Sequence, residues 1–318
     1  MYQIFEIFTG VCLPILALIF LGWALDRKFD FDLRTLVKLN IYLFVPAFIL
    51  VRLSTSTIPG KTGLLVMFFT LCIIFSMGAL SSLTSFFCRY RPEERAALQL
   101  STMIYNSGNW GIPLLTLAFP EQGGVLQVFV LATMNLTNFT VGVFLANSTN
   151  SEAVNAGWRK VIPVFRQPSV YAITAAILFR VLGNPLDDIV FIWKPINYVA
   201  DGLLGFALLT LGVQLSKTKP PQPVGRLGWA LGIRLLGGPV IAIALTWILG
   251  ISGTFAAILI VGAASPTAVN TALLAYEFGA DSRFAAAAVY YSTLSATLVV
   301  TLLLAILHHG WIPWAVIG

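Results

Sequence analysis

The chain is built from apolar runs of about 20 residues that recur from end to end, and this repetition constrains its fold more than any single motif. A run of that length suits one helical crossing of a bilayer, because a helix rises about 1.5 Å per residue through roughly 30 Å of hydrocarbon. Ten runs are read, at about 4–25, 35–53, 62–88, 96–119, 124–146, 169–183, 192–215, 226–250, 252–275 and 284–307. Of the 318 residues, 58% are hydrophobic and 10% charged, well under the roughly 25% charged share of soluble domains. The expectation is an all-α polytopic membrane protein forming a single unit. Met1-Tyr2-Gln3-Ile4-Phe5-Glu6 has no basic n-region and no small-residue cleavage site follows, so the first run reads as a retained helix. Cys12, Cys72 and Cys88 lack metal-ligand spacing and read as small hydrophobes.

Basic residues set the expected orientation, because Lys and Arg are retained on the cytoplasmic side. The odd-numbered connections carry Arg27, Lys28, Arg34, Arg89, Arg91, Arg95, Arg159, Lys160, Arg166, Lys217, Lys219, Arg226 and Arg283. The even-numbered ones carry only Arg52, Lys61, Arg180 and Lys194. Both termini are therefore expected outside, extracellular or periplasmic, in a plasma or inner membrane. The net charge of +6 follows from this topology, and no nucleic-acid partner is expected.

Five runs precede the polar connection at about 147–168 and five follow it, so the halves, about 1–146 and 169–318, should lie in opposite orientations. Two runs in corresponding positions, the fourth and the ninth, are interrupted. One contains Tyr105-Asn106-Ser107-Gly108-Asn109-Trp110-Gly111-Ile112-Pro113-Leu114, the other Gly262-Ala263-Ala264-Ser265-Pro266-Thr267-Ala268-Val269-Asn270. Proline removes a backbone donor and blocks helix continuation, which hydrocarbon does not tolerate unless protein or water surrounds it. Paired interruptions of this kind point to a midplane binding site. Ser265 as cap and Pro266 as first helical residue predict a half-helix start in the ninth run; Asn109 or Gly111, with Pro113 early in the helix, predict one in the fourth. Two such N-termini, each carrying roughly +0.5 charge, would suit an anion, and the carbonyl ends of the preceding halves a small cation.

At these residues the chain resembles the auxin efflux carrier family, which includes plant auxin exporters and bacterial carriers of malate and malonate. Asn106 to Leu114 is similar to that family's fourth helix and Ala264 to Asn270 to its ninth. Leu39-Asn40-Ile41-Tyr42-Leu43-Phe44-Val45-Pro46-Ala47 resembles its second helix, and Leu211-Gly212-Val213-Gln214-Leu215 the end of its seventh. The resemblance implies the inverted-repeat fold of bile-acid symporters and sodium/proton antiporters, with crossed, broken helices 4 and 9. It implies a scaffold from spans 1, 2, 6 and 7, a core from spans 3–5 and 8–10, elevator-like alternating access and a homodimer. The short connection 147–168 favours the compact, mostly prokaryotic branch.

The candidate substrate-binding residues are Asn106, Asn109 and Pro113 at the first interruption and Ser265, Pro266, Thr267 and Asn270 at the second. Asparagine offers donors and an acceptor, and can hold a carboxylate or brace unwound backbone. Asn135 and Asn138, three residues apart on one face of the fifth run, are candidates for lining the site or coordinating Na⁺; interhelical hydrogen bonding is the alternative. Arg234, about eight residues into the eighth run, is a candidate for supplying positive charge or neutralising helix carbonyls, with snorkelling toward the cytoplasm as the alternative. Asp201 is a candidate for proton coupling. No acidic pair occupies either interruption, and the chain lacks a His-Glu-x-x-His motif, a Walker-type phosphate loop and a nucleophile elbow. The expectation is a secondary active transporter of a small organic anion in the lipid bilayer, coupled to H⁺ or Na⁺, with no metal site and no enzymatic activity. The alternatives are a sodium-coupled importer of larger, bile-acid-like anions and, in a different class, a membrane-embedded sensor or enzyme.

Overall fold

The computed structural model describes residues 6–149, 167–218, 225–277 and 279–316; the side chains of 138–149 and of 277 lie outside that description. Among these residues the chain is helical: α1 (Phe8–Phe29), α2 (Leu33–Ser54), α3 (Gly60–Phe87), α4 (Pro92–Met103), α5 (Gly111–Ala118) and α6 (Gly123–Thr149). After these come α7 (Pro168–Val181), α8 (Val190–Lys217), α9 (Leu227–Ile248), α10 (Gly253–Gly262), α11 (Thr271–Glu277) and α12 (Ser282–His308). Six of them, α1, α2, α3, α8, α9 and α12, are long and apolar enough to cross a membrane. Shorter apolar helices include α7, α10 and the described part of α6. Most of the connection 147–168, with Arg159, Lys160 and Arg166, and also Lys219, lie outside the described residues.

Local chemistry fixes the helix ends. Asp32 caps α2 by accepting from the backbone N–H groups of Arg34 (3.1 Å) and Thr35 (3.3 Å), and Asp281 caps α12 by accepting from Phe284 N–H at 3.0 Å. Three helices contain a widened π turn: Phe8–Cys12 in α1, Asn40–Phe44 in α2 and Gly232–Gly237 in α9. Each turn ends two residues before a proline, namely Pro14, Pro46 and Pro239. A proline has no N–H to give and its ring collides with the carbonyl four residues back, so widening the turn that holds that carbonyl lets the helix continue.

Helices α1 and α8 pack side by side, as do α2 and α7, α3 and α4, α3 and α6, and α11 and α12. The α1–α8 approach is close because Gly22 lies against the Leu209 carbonyl and Gly212 against the Ile19 carbonyl, leaving no room for a Cβ. Phe44 of α2 stacks on Phe206 of α8 with ring centroids 4.2 Å apart. One apolar cluster, around Phe48, Ile49, Ala176, Leu203 and Ala207, joins α2, α7 and α8 to α5 and α6. A larger one joins α3, α4, α9, α10 and α12 with the inner face of α1. The outside is apolar too: Phe20, Phe75, Phe191, Trp229 and Leu298 are exposed, as suits side chains facing lipid.

Candidate functional site

Helix α4 stops at Met103 because the backbone beyond it finds partners elsewhere. Tyr105 and Thr267 form an isolated antiparallel bridge, in which Asn106 N–H donates to the Pro266 carbonyl (2.8 Å) and Ala268 N–H to the Ile104 carbonyl (3.0 Å). Backbone groups released by the helix ends thereby satisfy one another inside the protein. The bridge corrects the predicted helix start at Ser265-Pro266. Residues 266–268 are held by the bridge, and α11 begins only at Thr271. In the other segment Trp110, rather than Asn109 or Gly111, is the cap residue of α5; Gly111 N–H donates to the Asn106 carbonyl at 2.9 Å. Pro113 sits in the first turn of α5, where no intrahelical donor is required.

The structure sorts the predicted site residues into buried and less buried ones. Thr267 is buried, its hydroxyl donating to the Ser101 carbonyl (2.7 Å) and its N–H to Ser292 Oγ (3.0 Å). Asn106 and Ser265 are buried as well, and Asn106 Nδ2 and Ser265 Oγ have no partner among the described residues. Pro113 and Pro266 are buried beside them. Asn109 is half-buried and its Oδ1 accepts from Asn40 Nδ2 at 2.6 Å, a link from α2 to the segment before α5. Asn270 is exposed. Each of the two bridged segments therefore continues to an asparagine that is not fully buried, four residues past Tyr105 and three past Thr267.

Other candidates lie apart. Asn135 donates to Ser169 Oγ at 3.2 Å in a cleft of about 620 Å³ between α3, α6 and α7, and no bridge residue lines that cleft. Asn138 belongs to α6, with its side chain outside the described residues. Asp201 pairs with Arg52 at 3.0 Å and is 63% exposed. Arg234 does not snorkel. It is wholly buried, with Nη1 donating to the Thr102 carbonyl at 2.8 Å and Nη2 to the Ala263 carbonyl. No group of three or more His, Cys, Asp or Glu side chains comes together among the described residues.

Three residues outside the predicted candidates support the same region. Asn40, buried in the π turn of α2, holds Asn109. Gln127, buried in α6, donates from Nε2 to the Ser107 carbonyl at 2.7 Å. Tyr105 offers its ring to the Arg234 guanidinium, 4.7 Å from the centroid. The available signal for the first two was an amide between apolar neighbours, Leu39 and Ile41 for Asn40 and Leu126 and Val128 for Gln127.

The long apolar helices, apolar exterior and buried polar seam together define a polytopic integral membrane protein. A family model described as "Membrane transport protein" matches residues 7–304, and the chain belongs to that family, the auxin efflux carriers. It is 25% identical over 320 residues to the "Putative malonate transporter" of Rhizobium meliloti, covering 96% of this chain and 97% of that one. It is 24% identical over 293 residues to an uncharacterized transporter of Methanothermobacter thermautotrophicus, covering 90% and 94% of the two chains. An uncharacterized transporter of Methanocaldococcus jannaschii is 25% identical over 295 residues, covering 88% and 89%.

Proposed function

We propose that this membrane transporter is a secondary active carrier of small organic anions, mono- or dicarboxylates such as malonate, malate or auxin-like acids, working by elevator-type alternating access. One observation carries the proposal: the two interrupted segments pair backbone to backbone, and each continues to one asparagine that is not fully buried, Asn109 and Asn270. In this scheme α4 with α5 forms one broken crossing and α10 with α11 its repeat partner. The antiparallel sense of the Tyr105–Thr267 bridge supports two segments entering from opposite sides of the membrane. Ten crossings in two inverted halves put both termini on the same side, and the basic residues of the odd-numbered connections favour the outside. The side-chain amides orient the carboxylate, and the N-terminus of α5 and the charge of Arg234 favour it electrostatically. The core, α3–α6 with α9–α12, then moves against a scaffold of α1, α2, α7 and α8. The name of the Rhizobium relative supports a carboxylate substrate.

Counterflow of labelled malonate, malate, pyruvate and indole-3-acetate into proteoliposomes, with and without pH and Na⁺ gradients, tests this directly. Exchange of at least one acid is expected. Folded protein that exchanges none of them overturns the carboxylate assignment, and strict Na⁺ dependence with preference for a larger anion would favour a bile-acid-like importer.

A further inference from the structure

A guanidinium is an expensive group to bury without a carboxylate, and Arg234 is 0% exposed. The ion pairs among the described residues are Arg52–Asp201, Lys217 with Asp26 and Asp30, and Arg226–Glu94; Arg234 is in none of them. What it touches instead is chemically uniform. Nη1 donates to the carbonyl of Thr102 in the last turn of α4, and Nη2 donates to the carbonyl of Ala263, the cap residue at the C-terminus of α10. The Tyr105 ring, beside the bridge, faces the guanidinium carbon at 4.7 Å. Each of those helix ends is the negative pole of its helix, with carbonyl oxygens that no later N–H in the helix can reach. The fold makes room for the contact deliberately: a Cβ on Gly238 would lie 2.5 Å from the Ala263 carbonyl oxygen and 2.6 Å from Nη2. The π turn of α9 supplies the position from which the side chain enters.

Carbonyl oxygens at two interrupted helix ends are also the ligand set that suits a small hard cation such as Na⁺. We propose that Arg234 is a resident cation standing where a coupling Na⁺ would otherwise bind, so that this carrier works without Na⁺. The inference rests on the transporter reading above and deepens it by assigning the coupling. A covalently attached charge stays with the core through both halves of a cycle. It neutralises the two helix ends permanently, and it leaves the nearby asparagines free to take an anion with no cation bound first.

The test uses the purified full chain, in detergent and in liposomes. Replacing NaCl by choline chloride at constant ionic strength is expected to change neither the exchange rate nor the thermal unfolding midpoint of the wild-type protein. Arg234→Ala is expected to lose about tenfold or more of the exchange rate, because two charge-assisted hydrogen bonds go. Millimolar Na⁺ or guanidinium, and not choline, should then restore part of that rate and raise the midpoint of the variant. Arg234→Lys, which keeps the charge, should unfold at a midpoint that does not depend on Na⁺, and that midpoint decides the matter if the alanine variant does not fold. Na⁺ stimulation of wild-type exchange, a Na⁺-dependent wild-type midpoint, or an alanine variant that exchanges at the wild-type rate overturns the proposal. If the wild type exchanges no organic acid, the carrier reading fails on that result alone, and the midpoint measurements still decide whether Arg234 occupies a cation site.

Discussion

Asn106, Asn109 and Asn270 stand in different surroundings, although the sequence presents them alike. Asn109 is half-buried and Asn270 exposed, whereas Asn106 lends its backbone to the bridge and is buried. Asn109→Ala and Asn270→Ala are therefore expected to weaken carboxylate binding by about 10- to 100-fold, the loss of one hydrogen bond to a charged group. The checking measurement is apparent affinity in counterflow, read against the unfolding midpoint, which should stay near wild type in Asn270→Ala and fall in Asn109→Ala, where the buried Asn40 Nδ2 loses its acceptor. Thr267→Val keeps the shape but leaves the Ser101 carbonyl without its 2.7 Å donor. Its expected effect is on stability, about 1–3 kcal/mol, with substrate affinity little changed in the protein that remains folded. Equal affinity in all three variants would place the anion elsewhere. None of this division was legible in the sequence, because exposure at these positions is decided by residues such as Asn40 and Ser292, far away along the chain.

Whole elements were easier to read than their interruptions. The predicted runs lie within a few residues of the helix ends because twenty apolar residues and caps such as Asp32 and Asp281 are local signals. The restart at Thr271 escaped because Ser265-Pro266 is a sound local cap overruled by the bridge, whose partners come from another helix pair. Proline had a further role that local reading missed: Pro46 and Pro239 follow the π turns that carry Asn40 and Arg234. Glycine sets the α1–α8 distance at Gly22 and Gly212, each against a backbone carbonyl that cannot rotate away. Gly212→Leu should drive the two helices apart and cost about 1–3 kcal/mol, seen as a lower unfolding midpoint. Gly205→Leu, at a position on the same helix with open space around it, is the control and should be near neutral. Comparable loss from both would mean that the close approach is not the cause.

At the scale of the whole molecule, ion pairs between helices tie the bundle together. Arg226 pairs with Glu94 and holds its carboxyl below the usual carboxylate range, with help from Arg91 N–H at 2.9 Å. Stability from a depressed carboxylate is present above its unfolded pKa, about 4.3, and is lost as pH falls through the lower folded value. Glu94→Gln should therefore lower the unfolding midpoint at pH 6 and converge with wild type in the acid range; a constant gap at all pH values would deny the pair that role. The larger question is which parts move. Two glycine–phenylalanine contacts separate the possibilities: Gly124 of α6 faces Phe48 of α2, with 3.1 Å between a built Cβ and the ring, and Gly63 of α3 faces Phe129 of α6. The first pair spans the proposed boundary between scaffold and core, and the second lies within the core. With Cys12, Cys72 and Cys88 replaced, Phe48→Cys with Gly124→Cys, joined by a short reducible dithiol linker, should stop exchange until the link is reduced. Gly63→Cys with Phe129→Cys, joined in the same way, should leave exchange running, because a rigid core carries both ends of the link together. If both links are tolerated, α6 does not move against α2. If both arrest exchange, α3 and α6 change places relative to one another, and the core does not travel as one body.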